Sequence, residues 1–143
     1  MQYEISNFCQ KGYESRHNLK YWHQEPYLGF GPAAYSFFEN KRYGYKRDLH
    51  AYVEATESGD FSSVVCDQEE MSASDLTSEK LMLGLRLCEG VCLCEYPFQA
   101  QGLERIAVFE KMGLLKRENG RMWLTAKGML LDNYITSDLL LYL

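Results

Sequence analysis

The sequence predicts an α+β fold in two parts: strands and a helix first, then a winged-helix-like succession of helices and a hairpin. Three observations carry this expectation. Aromatic residues and charge divide unevenly along the chain. A serine- and acid-rich stretch near the middle has little periodicity. An Asn-Gly pair sits between two strand-like runs after a series of helical segments. The 143 residues suffice for one ordinary domain or two small ones. With 46% hydrophobic and 24% charged residues, the chain can bury a packed core and is not expected to be disordered. Residues 1–45 hold twelve of the twenty aromatics and five Lys/Arg against four Asp/Glu, whereas the remainder holds ten against sixteen. Two regions with different tasks are expected.

Residues 2–8, Gln-Tyr-Glu-Ile-Ser-Asn-Phe, alternate well enough for a short strand. Residues 26–38 read as turn, strand and loop. Gly29, Gly31 and Pro32 punctuate them, and small residues let a backbone approach something closely. Lys41, Arg42, Lys46 and Arg47 cluster around two tyrosines. Residues 48–58 predict an amphipathic helix with Leu49, Tyr52, Val53 and Thr56 on one side. Residues 59–76, with Gly59, several serines and the acids Asp67, Glu69, Glu70 and Asp75, predict a linker and the domain boundary.

Residues 77–90 fit two patterns. Leu83, Leu85 and Leu87 alternate as in a strand, while Leu81, Leu85 and Cys88 form a helical stripe. Length favours a helix with Gly90 as its stop. A short helix is expected over 95–101. Another is expected over 102–112, with Leu103, Ile106, Ala107 and Phe109 inward and Gly113 as its C-cap. Asn119-Gly120 is a strong hairpin signal, because both residues tolerate the positive φ of a type I′ turn. Thr125 can cap a last helix carrying Met129, Leu130, Leu131, Tyr134 and Ile135. There are no internal repeats.

Composition excludes several classes. No run is long and apolar enough to span a bilayer, so no transmembrane segment is expected. The first twenty residues lack an apolar core and a small-residue cleavage site, so no signal peptide is expected. Five cysteines without export signals read as reduced thiols of a cytoplasmic protein. A net charge of -5 argues against a nucleic-acid partner. A DNA-reading helix before a wing should be basic, yet Glu104, Arg105, Glu110 and Lys111 sum to zero. A structural or partner-binding wing is the better reading.

Two groups could carry chemistry. Cys88-x-x-x-Cys92-x-Cys94 has closely spaced thiols of the kind that hold zinc or iron–sulfur clusters. No fourth ligand stands near, and the spacing fits no ribbon or ferredoxin pattern. The alternative is three small hydrophobes beside a helix end. The other group is His17 with Tyr21 and Trp22. An imidazole in aromatic company can bind a flat, partly apolar cofactor through a metal such as heme iron, or it can be an ordinary hydrogen-bonded histidine.

Taken together, Tyr3-Glu4-Ile5-Ser6-Asn7-Phe8, Ser15-Arg16-His17-Asn18-Leu19-Lys20-Tyr21-Trp22 and Tyr27-Leu28-Gly29-Phe30-Gly31-Pro32-Ala33-Ala34-Tyr35-Ser36 resemble the later part of the HemW family. These are radical SAM heme chaperones related to oxygen-independent coproporphyrinogen III oxidase. Leu85-Arg86-Leu87, Gly90-Val91, Gly113-Leu114-Leu115, Leu124-Thr125-x-x-Gly128 and Asn133 extend the likeness over nearly the whole chain. The resemblance implies that residues 1–58 are the C-terminal strands and helix of a truncated partial β/α barrel. Residues 59–76 would be a linker and 77–143 a winged-helix-like C-terminal domain. It implies a C-terminal piece of a longer protein. The family's CxxxCxxC motif, whose thiolates hold the [4Fe–4S] cluster that binds S-adenosylmethionine, is absent here, so those cofactors belong to the full-length protein and no catalytic residue is assigned.

The resemblance further implies that His17 is the heme-contacting residue and the metal ligand. Asn18, Tyr21 and Trp22 would accompany it, and Gly29 and Gly31 would lie near the S-adenosylmethionine end of the barrel. Where the family has Gly-Ala-His-Ser, this chain has Ala33-Ala34-Tyr35-Ser36, which weighs against a ligand contact there. The expected function is that of a fragment of a heme chaperone that binds heme and delivers it to an acceptor protein. The alternatives are a fragment of the oxidase and a cofactor-free interaction module.

Overall fold

The computed structural model describes residues 1–143. The chain is α+β, with two separate three-stranded antiparallel sheets. It divides into two compact units, one of residues 25–76 and one of residues 1–24 together with 77–143.

In the unit of residues 25–76, β1 (Tyr35–Phe38) and β2 (Lys41–Tyr45) form a hairpin. Its turn residues, Glu39 and Asn40, both have positive φ, at 51° and 61°. β3 (Val65–Glu70) pairs antiparallel with β2 and lies inside the stretch expected to be a linker. Its acids have a structural reason: Glu69 stands opposite Arg42 and Glu70 opposite Lys41, so opposite charges face each other across the ladder. β3 is also an edge strand, and charge on an edge discourages pairing with another chain. α2 (Leu49–Ser58) starts at Asp48, whose side chain accepts from Ala51 N at 3.1 Å, and stops at left-handed Gly59. Only Ala55 of this helix is buried; Leu49 and Val53, expected on an inward stripe, are exposed. The rings of Tyr45, Tyr52 and Phe61 pack mutually at 5.3–5.7 Å.

The other unit holds the larger core. α1 (Arg16–Trp22) lies in its N-terminal segment. The strand expected over 2–8 is reduced to isolated bridges, Gln2 to Phe8 and Glu4 to Leu87. α3 (Ala73–Gly84), most of which belongs to this unit, begins four residues earlier than 77 and ends six before Gly90. Ser72 and Asp75 form a reciprocal cap. Ser72 Oγ accepts from Asp75 N at 3.2 Å, and Asp75 Oδ2 accepts from Ser72 N at 2.9 Å. After Gly84 the chain turns, and Leu87 makes a bridge in extended backbone. Of the two patterns read over 77–90, the helical one holds as far as Gly84 and the alternating one is reduced to the Leu87 bridge.

β4 (Val91–Cys92) runs into a 3₁₀ turn (Leu93–Glu95), which replaces the short helix expected over 95–101. α4 (Ala100–Lys111) follows, and Gly113 just beyond it has φ +69°. Ile106 and Phe109 of α4 are buried as expected, whereas Leu103 is 46% exposed. β5 (Leu115–Glu118) and β6 (Arg121–Leu124) form the expected hairpin, with Asn119 and Gly120 at φ 50° and 76°. The sheet order is β4-β6-β5. Thr125 caps α5 (Ala126–Met129) through Gly128 N at 3.1 Å. A Cβ at Gly128 would collide with the Leu114 carbonyl, so only glycine lets this turn sit against β5's approach. The helix then breaks and restarts as α6 (Asp132–Leu140). The break turns Leu130 outward at 84% exposed and leaves Ile135 as the one fully buried member of the predicted stripe.

Leu81, Leu85, Ile106, Phe109, Leu114, Met122, Leu124, Ile135 and Leu139 share one buried cluster. Each such side chain contributes about 1.5–3 kcal/mol by leaving water. Ile106→Ala and Met122→Ala, both at fully buried positions, are expected to cost about 2–5 kcal/mol each. Leu103→Ala should change stability by less than about 0.5 kcal/mol. Urea unfolding of the three variants checks this; a large loss at Leu103 would place it in the core after all.

Candidate functional site

The His-Asn-x-x-Tyr-Trp run occupies α1, a seven-residue helix. Ser15 starts it, accepting from Asn18 N at 3.3 Å. The His23 N–H closes it on the Leu19 carbonyl at 2.8 Å. Helical spacing turns the run into two i, i+4 pairs lying side by side. In the first pair, His17 Nε2 is 3.1 Å from the Tyr21 hydroxyl, and the rings meet edge to face at 5.0 Å. His17 is exposed to solvent and Tyr21 half-buried.

The second pair points into structure. Asn18 Nδ2 donates to the Tyr3 hydroxyl at 3.3 Å. The Trp22 ring lies 5.0 Å from the Arg86 guanidinium, a cation–π arrangement. Arg86 Nη1 also donates to Asp132 Oδ2 at 3.2 Å, linking α1's tryptophan to the start of α6. Burial pushes the Asp132 carboxyl above its ordinary range, against the opposing pull of the Thr136 hydroxyl and Arg86. The Trp22 indole N–H is buried without an acceptor, and so is Arg86 Nε without an acceptor of its own.

Trp22, with His23, Tyr96, Cys92 and Arg121, lines a cavity of about 300 Å³ that His17 does not line. His23 Nε2 is 2.8 Å from Glu89 Oε1 at its edge. Burial pushes the Tyr96 hydroxyl up to about 12. The sequence reading missed this cavity because its lining comes from α1, α3, the 87–90 turn, β4 and β6, which no local pattern connects. It also missed Glu4, read as a strand residue. Glu4 is fully buried; its Oε1 accepts from the Asn7 amide and its Oε2 has no donor. The one signal in sequence was an acid between the apolar residues Tyr3 and Ile5.

Gly29 and Gly31 belong to the unit of residues 25–76, whereas His17, Asn18, Tyr21 and Trp22 belong to the other. Gly29 N donates to Ser36 Oγ at 3.0 Å, and a Cβ there would collide with the Tyr35 carbonyl. Gly31 has φ +103° and donates to the Tyr52 hydroxyl at 2.9 Å. Both glycines thus have local structural duties.

Of the three thiols of the cysteine run, Cys92 and Cys94 touch at 2.7 Å between Sγ atoms. They are not all small buried hydrophobes: Cys94 is exposed and Cys88 and Cys92 are only half-buried.

Comparison with known proteins gives a consistent result. Residues 71–131 match the family described as the HemN C-terminal domain. The chain is 34% identical to heme chaperone HemW of Synechocystis over 142 residues, 95% of this chain and 33% of that protein. It is 30% identical to heme chaperone HemW of Bacillus subtilis over 141 residues, 94% of this chain and 36% of that protein. Among solved structures, coproporphyrinogen III oxidase HemN from Escherichia coli, a radical SAM enzyme, matches with a TM-score of 0.56 at 21% identity. That match covers 83% of this chain and 29% of the enzyme. The chain is therefore similar over nearly its whole length to proteins named heme chaperone HemW, and it shares its fold with HemN. Its resemblance to the C-terminal part of HemW is borne out, and it spans about a third of the length of the HemW relatives it matches.

Trp22 offers a test of the site's construction. Trp22→Phe keeps a ring beneath Arg86 and removes a buried N–H that has no acceptor. It should cost less than about 1.5 kcal/mol, while Trp22→Ala should cost about 3 kcal/mol. Chemical denaturation distinguishes the two; equal losses would mean that the indole N–H is satisfied and matters.

Proposed function

We propose that the chain is the C-terminal part of a cytoplasmic HemW-like heme chaperone, which binds heme and hands it to an acceptor protein. The observation that carries this reading is identity of 34% and 30% across 95% and 94% of the chain to proteins named heme chaperone HemW. In this reading the radical SAM barrel end expected over 1–58 keeps residues 25–58, while residues 1–24 pack with the winged-helix-like domain of 77–143 and the expected linker 59–76 contributes β3. S-adenosylmethionine and the [4Fe–4S] cluster belong to the full-length protein. Gly29 and Gly31 would lie toward the S-adenosylmethionine end of the barrel.

Heme is cargo, and His17 is its ligand. The exposed His17 ring is reachable, and the Tyr21 hydroxyl at Nε2 can set its tautomer. When the hydroxyl accepts from Nε2–H, Nδ1 keeps its lone pair for iron. Asn18 and Trp22 hold the helix that presents the pair, through Tyr3 and Arg86. In the full-length protein that contains this chain, His17→Ala should shift the heme Soret band and weaken binding about tenfold or more. His23→Ala and His50→Ala should leave both unchanged. Identical spectra and affinities for His17→Ala and the parent would leave His17 an ordinary surface histidine.

A second reading, a fragment of an oxygen-independent coproporphyrinogen III oxidase, is favoured by the fold shared with HemN. Decarboxylation assayed beside heme binding separates it from the first. Heme titration of this chain tests the third, a cofactor-free interaction module.

The hairpin has a structural task and no nucleic-acid partner in this reading. Arg105 is held by Asp138 through two contacts of 2.7 and 2.6 Å, and Arg117 is held by Glu110. Arg117 in turn keeps the Glu110 carboxyl below its ordinary range. These pairs take two cations of the region from phosphates, and the chain's net charge of -5 opposes the rest. A gel shift at low salt, where electrostatic binding is strongest, should show no retention of duplex DNA. Tight, sequence-dependent retention would overturn the assignment.

A further inference from the structure

We propose that Cys92 and Cys94 form a thiol–disulfide exchange site. In it Cys92 attacks a small external disulfide and Cys94 resolves the mixed disulfide into an intramolecular Cys92–Cys94 bond. The two sulfurs already touch at 2.7 Å, against about 2.05 Å in a closed disulfide. Cys94 is exposed, and Cys92 borders the roughly 300 Å³ cavity beside Tyr96 and Arg121. A low-molecular-weight disulfide can therefore reach the pair.

The surroundings favour a thiolate at Cys92. It stands opposite Arg121 in the β4–β6 ladder. The Arg121 guanidinium is fixed by donation to the Glu89 carbonyl at 3.1 and 3.2 Å and the Gly90 carbonyl at 2.9 Å. The nearest opposing acid, Glu95, is engaged by Lys80 at 2.6 Å. Contact with the Cys94 thiol and its backbone lowers the Cys92 thiol below its ordinary value, against burial and the Glu95 charge and with a smaller pull from Arg121, while the same contact raises Cys94. Elsewhere the trend is opposite. Burial and the Glu4 charge raise Cys88, and burial and Asp67 raise Cys66. The thiolate is the nucleophile, so among these four thiols Cys92 is the one favoured, and it has a partner in contact.

The exchange balances without further reagents. The Cys92 thiolate attacks one sulfur of the external disulfide, forming a mixed disulfide and expelling one thiolate. That thiolate takes up the Cys94 proton. Cys94 sulfur then attacks Cys92 sulfur and expels the second thiolate, which is protonated from solvent. Two protein thiols are oxidised and one external disulfide is reduced to two thiols.

Treatment of the reduced chain with glutathione disulfide tests this. Five alkylatable thiols should fall to three, the mass should drop by about 2 Da, and peptide mapping should place the bond between residues 92 and 94. Cys94→Ser should accumulate glutathione on residue 92. Cys92→Ser should take up glutathione on residue 94 more slowly, because residue 94 does not stand opposite Arg121 in the ladder. A bond to any other cysteine, or glutathione retained on the parent chain without closure, would overturn the proposal. Faster trapping in Cys92→Ser than in Cys94→Ser would overturn the order of attack.

Discussion

Arg86 is the residue on which the larger unit depends. Its neighbours Leu85 and Leu87 are fully buried in the core. Arg86 itself turns the other way, and its guanidinium lies against the Trp22 ring and donates to Asp132. The backbone around it is equally committed. The Arg86 carbonyl accepts from Ile5 N at 3.1 Å, and Cys88 N donates to the Tyr3 carbonyl at 3.0 Å. One short segment therefore holds the N-terminal residues, α1 and α6 to a core built from residues far along the chain from α1. The Asp132 carboxyl, desolvated where it sits, depends on that cation, since an unpaired buried charge costs far more than a broken surface pair.

The elements legible in sequence were those specified by local chemistry. Asn119-Gly120, Gly113 and Thr125 announce a turn, a helix end and a helix start through their own backbone preferences, and each is found in that role. The Gly128 of Leu-Thr-x-x-Gly is fixed by a close approach to the Leu114 carbonyl. What escaped was specified by partners distant in sequence. β3 is acidic because Arg42 and Lys41 face it, which no window of composition reports. α1 was unreadable because its apolar residues, Leu19, Tyr21 and Trp22, span about one helical turn in a seven-residue run. Its signal was Ser15 at the cap. The cap Ser72-x-x-Asp75 was present in the sequence as well, but it lies in a stretch whose acids and serines read as linker.

The candidate site was legible in its parts and not in its arrangement. The sequence supplies His17, Asn18, Tyr21 and Trp22. Only a helix reveals that they are two pairs, one toward solvent and one toward Tyr3 and Arg86. Such a division lets one face of α1 be held firmly while the other stays accessible, which a ligand-presenting histidine requires. His23, the residue that ends the helix, lines the cavity beside Trp22 instead.

The same division of labour runs through the β5–β6 hairpin. Arg105 and Arg117 are taken by Asp138 and Glu110, and Arg121 by the carbonyls of Glu89 and Gly90. These arginines brace α4 to α6, α4 to β5, and β6 to the turn before β4. With both its strands braced, by Arg117 and Arg121, the hairpin does not move as an independent reading element. It instead fixes the strand opposite it, and Leu93 N is accordingly tied to the Gly120 carbonyl at 2.8 Å at the hairpin's tip. Cys92 and Cys94 flank that anchored residue. Their contact follows from the same bracing, because with Leu93 held from one side the 3₁₀ turn leaves the two adjacent thiols facing each other.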